Sequence, residues 1–189
     1  MKKLNRFIIF VVVTILSLSV QFSCKNKNSV PLIQNYKLFK NAKYSFQYPS
    51  DWILTENGTN VTVTGPQVDS YFVNFKVDYN EQINMSLDEF VKIVEEQNNI
   101  VGLPAYVDKG KINVDLPADK AVQRTFTTNV NTTFSTEPIM LLVTLTYIVQ
   151  EQTIGYVLTT EVPNRAYQKY SEVFANIKGS FRYQSKIKK

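Results

Sequence analysis

The fold is decided by the stretch Ile139-Met-Leu-Leu-Val-Thr-Leu-Thr-Tyr-Ile-Val149. This stretch is apolar on both faces and rich in β-branched residues, which is typical of a strand that is covered on both sides. A short turn through Gln150-Glu-Gln152 leads to Ile154–Glu161, which has a similar composition. We therefore predict a central strand and its hairpin partner, which are the start of an antiparallel sheet.

Other segments have the alternating pattern of strands with one covered face. Aromatic residues alternate with Ser45 and Gln47 over Tyr44–Tyr48, and Pro49-Ser-Asp51 then indicates a turn. Further strands are predicted over Val61–Thr64, which ends at a break at Gly65-Pro66, over Val73–Val77, near residues 105–114 and 121–128, and at Ser180–Tyr183.

Two segments have helical patterns. Ser86-Leu-Asp-Glu89 is a capping box, because the serine hydroxyl accepts from a free backbone N–H and the glutamate reaches back to the start of the helix. A second helix is predicted from Pro163, which suits a first helical turn, to Gly179, which suits a helix end. The apolar stripes are Leu87, Phe90, Val91 and Val94 in the first helix, and Tyr167, Tyr170, Phe174 and Ile177 in the second. The predicted class is α+β, an antiparallel β-sheet with helices packed on it.

Residues 1–23 have the three parts of a secretory signal peptide. Lys2, Lys3 and Arg6 make the start positive, Phe7–Val20 is a nearly continuous apolar run, and small Ser23 ends the segment. A bilayer span needs about 20 apolar residues, so this run favours a removable signal over a retained transmembrane helix.

The only cysteine of the chain, Cys24, directly follows this apolar segment. The arrangement resembles a bacterial lipobox, in which the cysteine thiol receives diacylglycerol and the chain is then cleaved before it. Gln21 stands where a lipobox usually has leucine, and Val20 lies one place earlier. We predict that Cys24 is lipidated. The alternative is an ordinary signal peptide whose cysteine is incidental.

These features predict four parts of the chain. Residues 1–23 are the signal peptide, 24–35 a lipidated polar tether, 36–184 the folded domain and 185–189 a basic tail. By resemblance to bacterial sorting rules, Asn26 gives no signal for retention at the inner membrane. We therefore expect a protein anchored to the outer membrane and facing the periplasm.

The composition excludes several classes of function. The chain has no histidine and one cysteine, which rules out Ser–His or Cys–His nucleophiles, histidine-ligated zinc and an internal disulfide. The net charge is +5, and it falls to 5 − 3 = +2 once the three cations of the signal peptide are removed. No concentrated basic face is present, so we expect no nucleic-acid partner, and we predict no cofactor and no metal site.

Three groups of side chains are candidates for a site. Trp52, with Tyr44 and Tyr48, is interpreted as core packing, with a ligand groove as the alternative; the same choice applies to the stripe of the second helix. The carboxylates of Asp88-Glu89 and Glu95-Glu96 are interpreted as a solvated helix face. Asp115 and Asp119 share one loop, but calcium needs six to eight oxygen ligands.

Several segments resemble the PsbP-like family, which is named after an extrinsic subunit of photosystem II and includes small bacterial lipoproteins. They are Tyr44-Ser-Phe-Gln-Tyr-Pro-Ser-Asp-Trp52, Ser86-Leu-Asp-Glu-Phe90 and Gly155-Tyr-Val-Leu-Thr159, followed by Tyr170, Phe174 and Gly179-Ser-Phe181. They cover most of residues 36–184 in the family's order. The resemblance implies an α/β/α sandwich and a binding or assembly role, and it implies no binding residue.

Three functions are consistent with the sequence. The first is a non-catalytic binding or assembly lipoprotein of the cell envelope, with an unknown protein partner. The second is a carrier or sensor of a small apolar ligand, suggested by 12 Phe and 11 Tyr. The third, ranked last, is an envelope hydrolase that uses carboxylates or a serine–lysine pair. We predict that the protein is not an enzyme.

Overall fold

The predicted hairpin lies in the interior of a seven-stranded antiparallel sheet. A computed structural model describes residues 31–117 and 120–183. The predicted signal peptide, Cys24 and the basic tail lie outside the described residues. The strands are β1 (Tyr36–Lys40), β2 (Tyr44–Pro49), β3 (Ile53–Asn57), β4 (Asn60–Val68), β5 (Tyr71–Glu81), β6 (Val107–Asp115), β7 (Lys120–Val130), β8 (Ile139–Gln150), β9 (Ile154–Pro163) and β10 (Arg182–Tyr183). The helices are α1 (Leu87–Gln97) and α2 (Tyr167–Ser180).

The strand order of the large sheet is β3-β4-β5-β9-β8-β7-β6. Every neighbouring pair is antiparallel. β8 pairs with β9 from Leu141 opposite Pro163 to Gln150 opposite Ile154. Nearly every residue of β8 is buried, as expected for a strand with cover on both faces. The α+β class and the antiparallel sheet are therefore confirmed.

The two faces of the sheet are covered by different elements, because successive residues of a strand point to opposite sides. Leu142 and Ile148 of β8 belong to the core that includes α2 and the aromatic strand β2. Val143 and Tyr147 belong to a second core, which includes Phe90 of α1. The sheet therefore lies between α1 on one face and α2 on the other.

A second, three-stranded sheet shares the face of α2. Its order is β1-β2-β10, with Tyr36 opposite Pro49 and Arg182 opposite Ser45. The sequence patterns predicted β2 and β10 but not β1, and they did not indicate that these strands form a sheet of their own. β2 pairs with β1 near the start of the domain and with β10 near its end. This pairing could not be predicted because an alternating pattern shows that a segment is a strand but does not specify which strand it pairs with.

The capping box at the start of α1 is confirmed. The Ser86 hydroxyl accepts from the backbone N–H of Glu89 at 3.3 Å, and the backbone N–H of Ser86 donates to the Glu89 carboxylate at 2.9 Å. These bonds satisfy two donors that the helix itself leaves free, and α1 therefore begins at Leu87.

Three predicted boundaries are wrong. β4 continues through Gly65-Pro66 instead of ending there, with a register shift between Thr64 and Gln67. Glycine fits inside this strand because a Cβ at residue 65 would lie 2.5 Å from the Trp52 ring. Pro163 is the last residue of β9, and a short 3-10 turn, Asn164–Ala166, separates it from α2. Proline lacks the N–H of the ladder, and a strand end accommodates it. α2 extends one residue past Gly179 to Ser180.

The packing of α1 on the sheet depends on Gly155. A Cβ at this position would lie 2.5 Å from the ring of Phe90, which is buried against the sheet. Gly155→Ala is therefore expected to lower the free energy of unfolding by about 1–3 kcal/mol through overpacking. The measurement is urea unfolding followed by the fluorescence of Trp52, the only tryptophan in the chain.

The matched control is Gly179→Ala, at a helical position where an added Cβ meets no atom within 4 Å. This change is expected to leave stability equal or higher, because alanine favours helix by about 1 kcal/mol over glycine. Equal unfolding midpoints for the two variants would contradict close packing of Phe90 on Gly155.

Candidate functional site

A groove of about 690 Å³ runs between α1 and the edge strand β6. α1 packs over β7 and β8, and β6 lies beside it with β7 as its neighbour in the sheet. Buried Val91 and Val122 contribute to the apolar lining. The other described lining residues are Asp88, Lys92, Glu95, Glu96, Asn99, Val101, Lys111, Ile112 and Asn113.

Glu95 of α1 forms the centre of a polar network in this groove. Its carboxylate accepts from Arg124 Nε at 2.8 Å, from Lys111 Nζ at 3.2 Å and from the Tyr147 hydroxyl at 3.4 Å. Lys111 and Arg124 lie directly opposite each other on β6 and β7. Two cations in that position repel each other. The carboxylate from the helix compensates both charges and holds α1 over these two strands.

Arg124 extends the network towards the start of β6. Its Nη1 donates to the Tyr106 hydroxyl at 2.7 Å and to Asp108 Oδ2 at 3.3 Å. Partial burial is the largest single effect on the pKa of Arg124 and lowers it. Glu95, Tyr106 and Asp108 each raise that pKa, and together they outweigh burial, so the pKa is raised. The guanidinium is therefore held in the charged form with fixed partners.

The interpretation of Glu95 as part of a solvated helix face is wrong. Its side chain is only 16% exposed, because Glu95 follows Val91 by four residues and so shares the buried side of α1. The sequence did contain an indication that Arg124, the ion-pair partner of Glu95, faces inward. Arg124 stands between Val122 and Phe126 at alternate positions of a strand, and an inward-facing charge in an apolar series requires an ion pair.

The rim of the groove has a different character from its polar centre. Val101 is 75% exposed at the rim, and Ile112 of the edge strand is 57% exposed, with its side chain on the opposite face of the sheet from Lys111. Lys92 and Glu96 form a loose pair at 3.9 Å across one turn of the helix, as expected for the solvated face. The rim and the adjoining sheet edge therefore present apolar side chains and charges of both signs. The Glu95 carboxylate, in contrast, is already occupied by three donors.

A second polar cluster lies on the same face of the sheet, on β5 and β9. Glu161 accepts from the Tyr71 hydroxyl at 2.6 Å and from Lys76 Nζ at 2.7 Å. Burial raises the pKa of nearby Asp78, with Lys76 opposing this effect and Glu161 adding to it. These contacts join β5 to β9 and provide partners for the polar side chains that these two strands place on the α1 face of the sheet.

The aromatic candidates belong to the core, as predicted. Tyr44 and Trp52 are buried, and Tyr48 is half-buried and packs against the same core. The Trp52 ring packs edge-on against Tyr170 and Phe174, with centroids 6.2 Å from each. The tertiary structure thus joins the aromatic turn after β2 to the stripe of α2. Tyr167, in contrast, is partly exposed at the start of that helix.

The remaining candidates form no site among the residues that the structure describes. Asp115 ends β6 opposite Lys120, and Asp119 lies outside the described residues. Within residues 31–117 and 120–183, no three His, Cys, Asp or Glu side chains form a group that could hold a metal ion. Nor do those residues include a helix that is long and apolar enough to cross a membrane.

The Glu95 network makes a testable contribution to stability. Glu95→Gln removes the charge that compensates Lys111 and Arg124 and is expected to cost about 1–2 kcal/mol of unfolding free energy, since the pair is partly shielded from water. Glu96→Gln, one position along the helix and exposed, is expected to cost less than about 0.5 kcal/mol. Urea unfolding of both variants measures the difference, and equal losses would show that Glu95 is not the centre of the network.

Comparison of the chain with known proteins gave results only at the level of structure. No family model and no curated protein sequence matches it. LpqN of Mycobacterium tuberculosis, described as involved in cell envelope biogenesis, has a TM-score of 0.57 at 10% identity, over 79% of this chain and 91% of its own.

Two further solved structures share the architecture. The cyanobacterial PsbP of Synechocystis has a TM-score of 0.54 at 13% identity, over 82% of this chain and 96% of its own. The Ran-binding protein Mog1p of Saccharomyces cerevisiae has a TM-score of 0.53 at 13% identity, over 78% of this chain and 95% of its own. Identities this low establish the fold alone. The described domain has the fold that PsbP-like proteins share with Mog1, as the sequence resemblance predicted.

Proposed function

We propose that this protein is an exported lipoprotein of the bacterial cell envelope, anchored through Cys24, that binds a protein partner and performs no catalysis. The groove between α1 and β6 is the proposed binding site. The observation that carries this proposal is a pair of exposed apolar side chains, Val101 at the rim of the groove and Ile112 on the free edge strand β6.

The sheet edge adds a means of recognition to the apolar rim. Among the described residues β6 pairs only with β7, so its outer side presents backbone N–H and C=O groups that have no ladder partner. An extended segment of a partner that pairs with such an edge gains backbone hydrogen bonds, and pockets beside the edge select its side chains. The groove places Val91 and Val122 next to that edge.

Two structural neighbours have descriptions that each agree with one part of this proposal. One is described as involved in cell envelope biogenesis and another as a Ran-binding protein. A shared fold does not transfer a function. The envelope location proposed for this chain therefore depends on its signal peptide and on Cys24, and the outer membrane is proposed from the residues that follow the cysteine.

The aromatic content does not favour the alternative of a ligand carrier. Tyr44 packs against Phe46, Tyr156 and Phe181, with ring centroids 5.7–6.3 Å apart. These rings fill the space between the two sheets and are buried. Core packing accounts for these aromatic residues, so the number of Phe and Tyr in the chain is not by itself evidence for an apolar ligand.

The groove also weakens the hydrolase alternative, although it gathers carboxylates and lysines. General acid–base catalysis needs a carboxyl group that is free to exchange a proton with the substrate. Glu95 is engaged by three donors, and Lys92 and Glu96 are at the solvated rim. No serine is present among the described lining residues, so this groove provides no serine–lysine pair.

Lipidation of Cys24 is tested by metabolic labelling with palmitate. The wild-type protein is expected to be labelled and recovered in the membrane fraction, and Cys24→Ser is expected to lose both properties, because without acyl chains the tether contributes no apolar area to the bilayer. N-terminal analysis of the mature protein is expected to find residue 24 first. A labelled Cys24→Ser protein, or a mature start elsewhere, would refute the anchor.

The binding site is tested with a photo-crosslinking amino acid at Val101 in the full-length protein in cells. We expect one discrete adduct, and Ile112→Glu is expected to reduce it about tenfold, because a charge buried in the interface costs more than 1.4 kcal/mol.

Leu38→Glu is the matched control for this experiment, since Leu38 is 59% exposed but lies on β1, outside the groove. It is expected to leave the adduct unchanged. An adduct that survives Ile112→Glu, or one that both variants abolish equally, would place the binding surface elsewhere.

A further inference from the structure

The sheet register brings one set of strand ends together. β5 begins opposite the end of β4, with Tyr71 paired to Val68, and β8 begins opposite the end of β7, with Ile139 paired to Val130. The starts of β3 and β6 and the end of β9 lie at the same end. We call this the Phe134 end, after the residue in the loop between β7 and β8.

The start of the described chain also lies at the Phe134 end. Tyr36 pairs with Pro49, and the carbonyl of Asn35 accepts from the backbone N–H of Ser50 at 2.9 Å. Ser50 lies three residues before Ile53, where β3 begins. Leu32 follows Cys24 by eight residues, so the two are at most about 28 Å apart along an extended chain.

Large exposed apolar side chains concentrate at this same end. Phe134 is 69% exposed, and it belongs to the loop that joins β7 to β8. The other members are Leu32, Ile53, Phe72, Val107 and Met140. At the opposite end, the turns between β3 and β4 and between β8 and β9 carry none among the described residues. Exposed apolar residues of a monomer are normally scattered, and a one-sided concentration indicates a contact surface.

The charges at the Phe134 end are of both signs. Arg165 is paired with Asp69, and the Lys169 ammonium lies 5.3 Å from the centre of the Tyr170 ring. Asp51 and Glu137 are exposed at the same end. This balance gives no strong attraction to an anionic surface, so the contact has to be mainly apolar.

We propose that the Phe134 end rests on the bilayer that holds the lipidated Cys24, with Phe134 and its apolar neighbours at the boundary between headgroups and acyl chains. The inference rests on the proposed lipid anchor. A few exposed side chains bind a membrane only weakly by themselves. A tether of this length makes the contact intramolecular, so the effective concentration of the Phe134 end at the bilayer surface is high. The domain therefore stands with these strand ends towards the lipid.

The test uses the full-length, lipidated Phe134→Cys protein in vesicles of phosphatidylethanolamine with or without phosphatidylglycerol. The new thiol is labelled with an environment-sensitive dye, since acylation blocks Cys24 and the chain has no other cysteine. Thr59→Cys, in the exposed turn at the opposite end, is the matched control. Spin-labelled lipid is expected to quench the dye at residue 134 at least about threefold more than at residue 59, because only the former lies within the 5–10 Å boundary layer.

The same samples also show whether quenching depends on lipid charge and whether the protein carries its lipid anchor. Quenching at residue 134 is expected to be similar with and without phosphatidylglycerol. Equal quenching at the two positions, in protein that carries palmitate and floats with the vesicles, would overturn this contact and leave the anchor intact. If the dye at residue 134 were shielded from water in native envelope but not in pure lipid vesicles, the contact with lipid would also be overturned, and the Phe134 end would be assigned to a protein partner. Absence of palmitate would refute the anchor and this inference together.

Discussion

Burial of β8 and β9 on both faces is the constraint on which the rest of the domain depends. Nearly every residue of the two strands is inaccessible to water, so each face needs its own cover. α1 supplies one cover through Phe90, which sits on Gly155. α2 and the small sheet supply the other, and Trp52 packs against that helix. The positions of all elements beside these strands follow from this requirement.

The same constraint creates the groove. α1 covers the interior strands of the sheet and leaves β6 beside it, at the edge. Two opposed cations on β6 and β7 would repel each other there, and Glu95 compensates both from the helix. The network thus fixes the distance between α1 and the sheet edge, while the apolar rim stays accessible. A rigid wall next to a free strand edge suits the recognition of an extended chain.

The fold by itself says little about biochemical activity. Among proteins of the same architecture, one is described as involved in cell envelope biogenesis, one is a cyanobacterial PsbP and one is a Ran-binding protein. What these surfaces do depends on side chains outside the shared core. In this chain we propose two such surfaces, the groove for a protein partner and the apolar Phe134 end for the bilayer.

The sequence by itself determined the α+β class, the strands other than β1 and β3, the start of α1 at its capping box and the core position of Trp52, because local periodicity and capping act between residues that are close along the chain. The signal peptide and Cys24 remain predictions of the sequence, outside the described residues. Only the tertiary structure decided that β1, β2 and β10 form a separate sheet, that β4 passes through Gly65-Pro66, and that Glu95 meets Arg124. Each of these depends on which distant segments become neighbours, and strand or helix patterns do not encode the choice of partner.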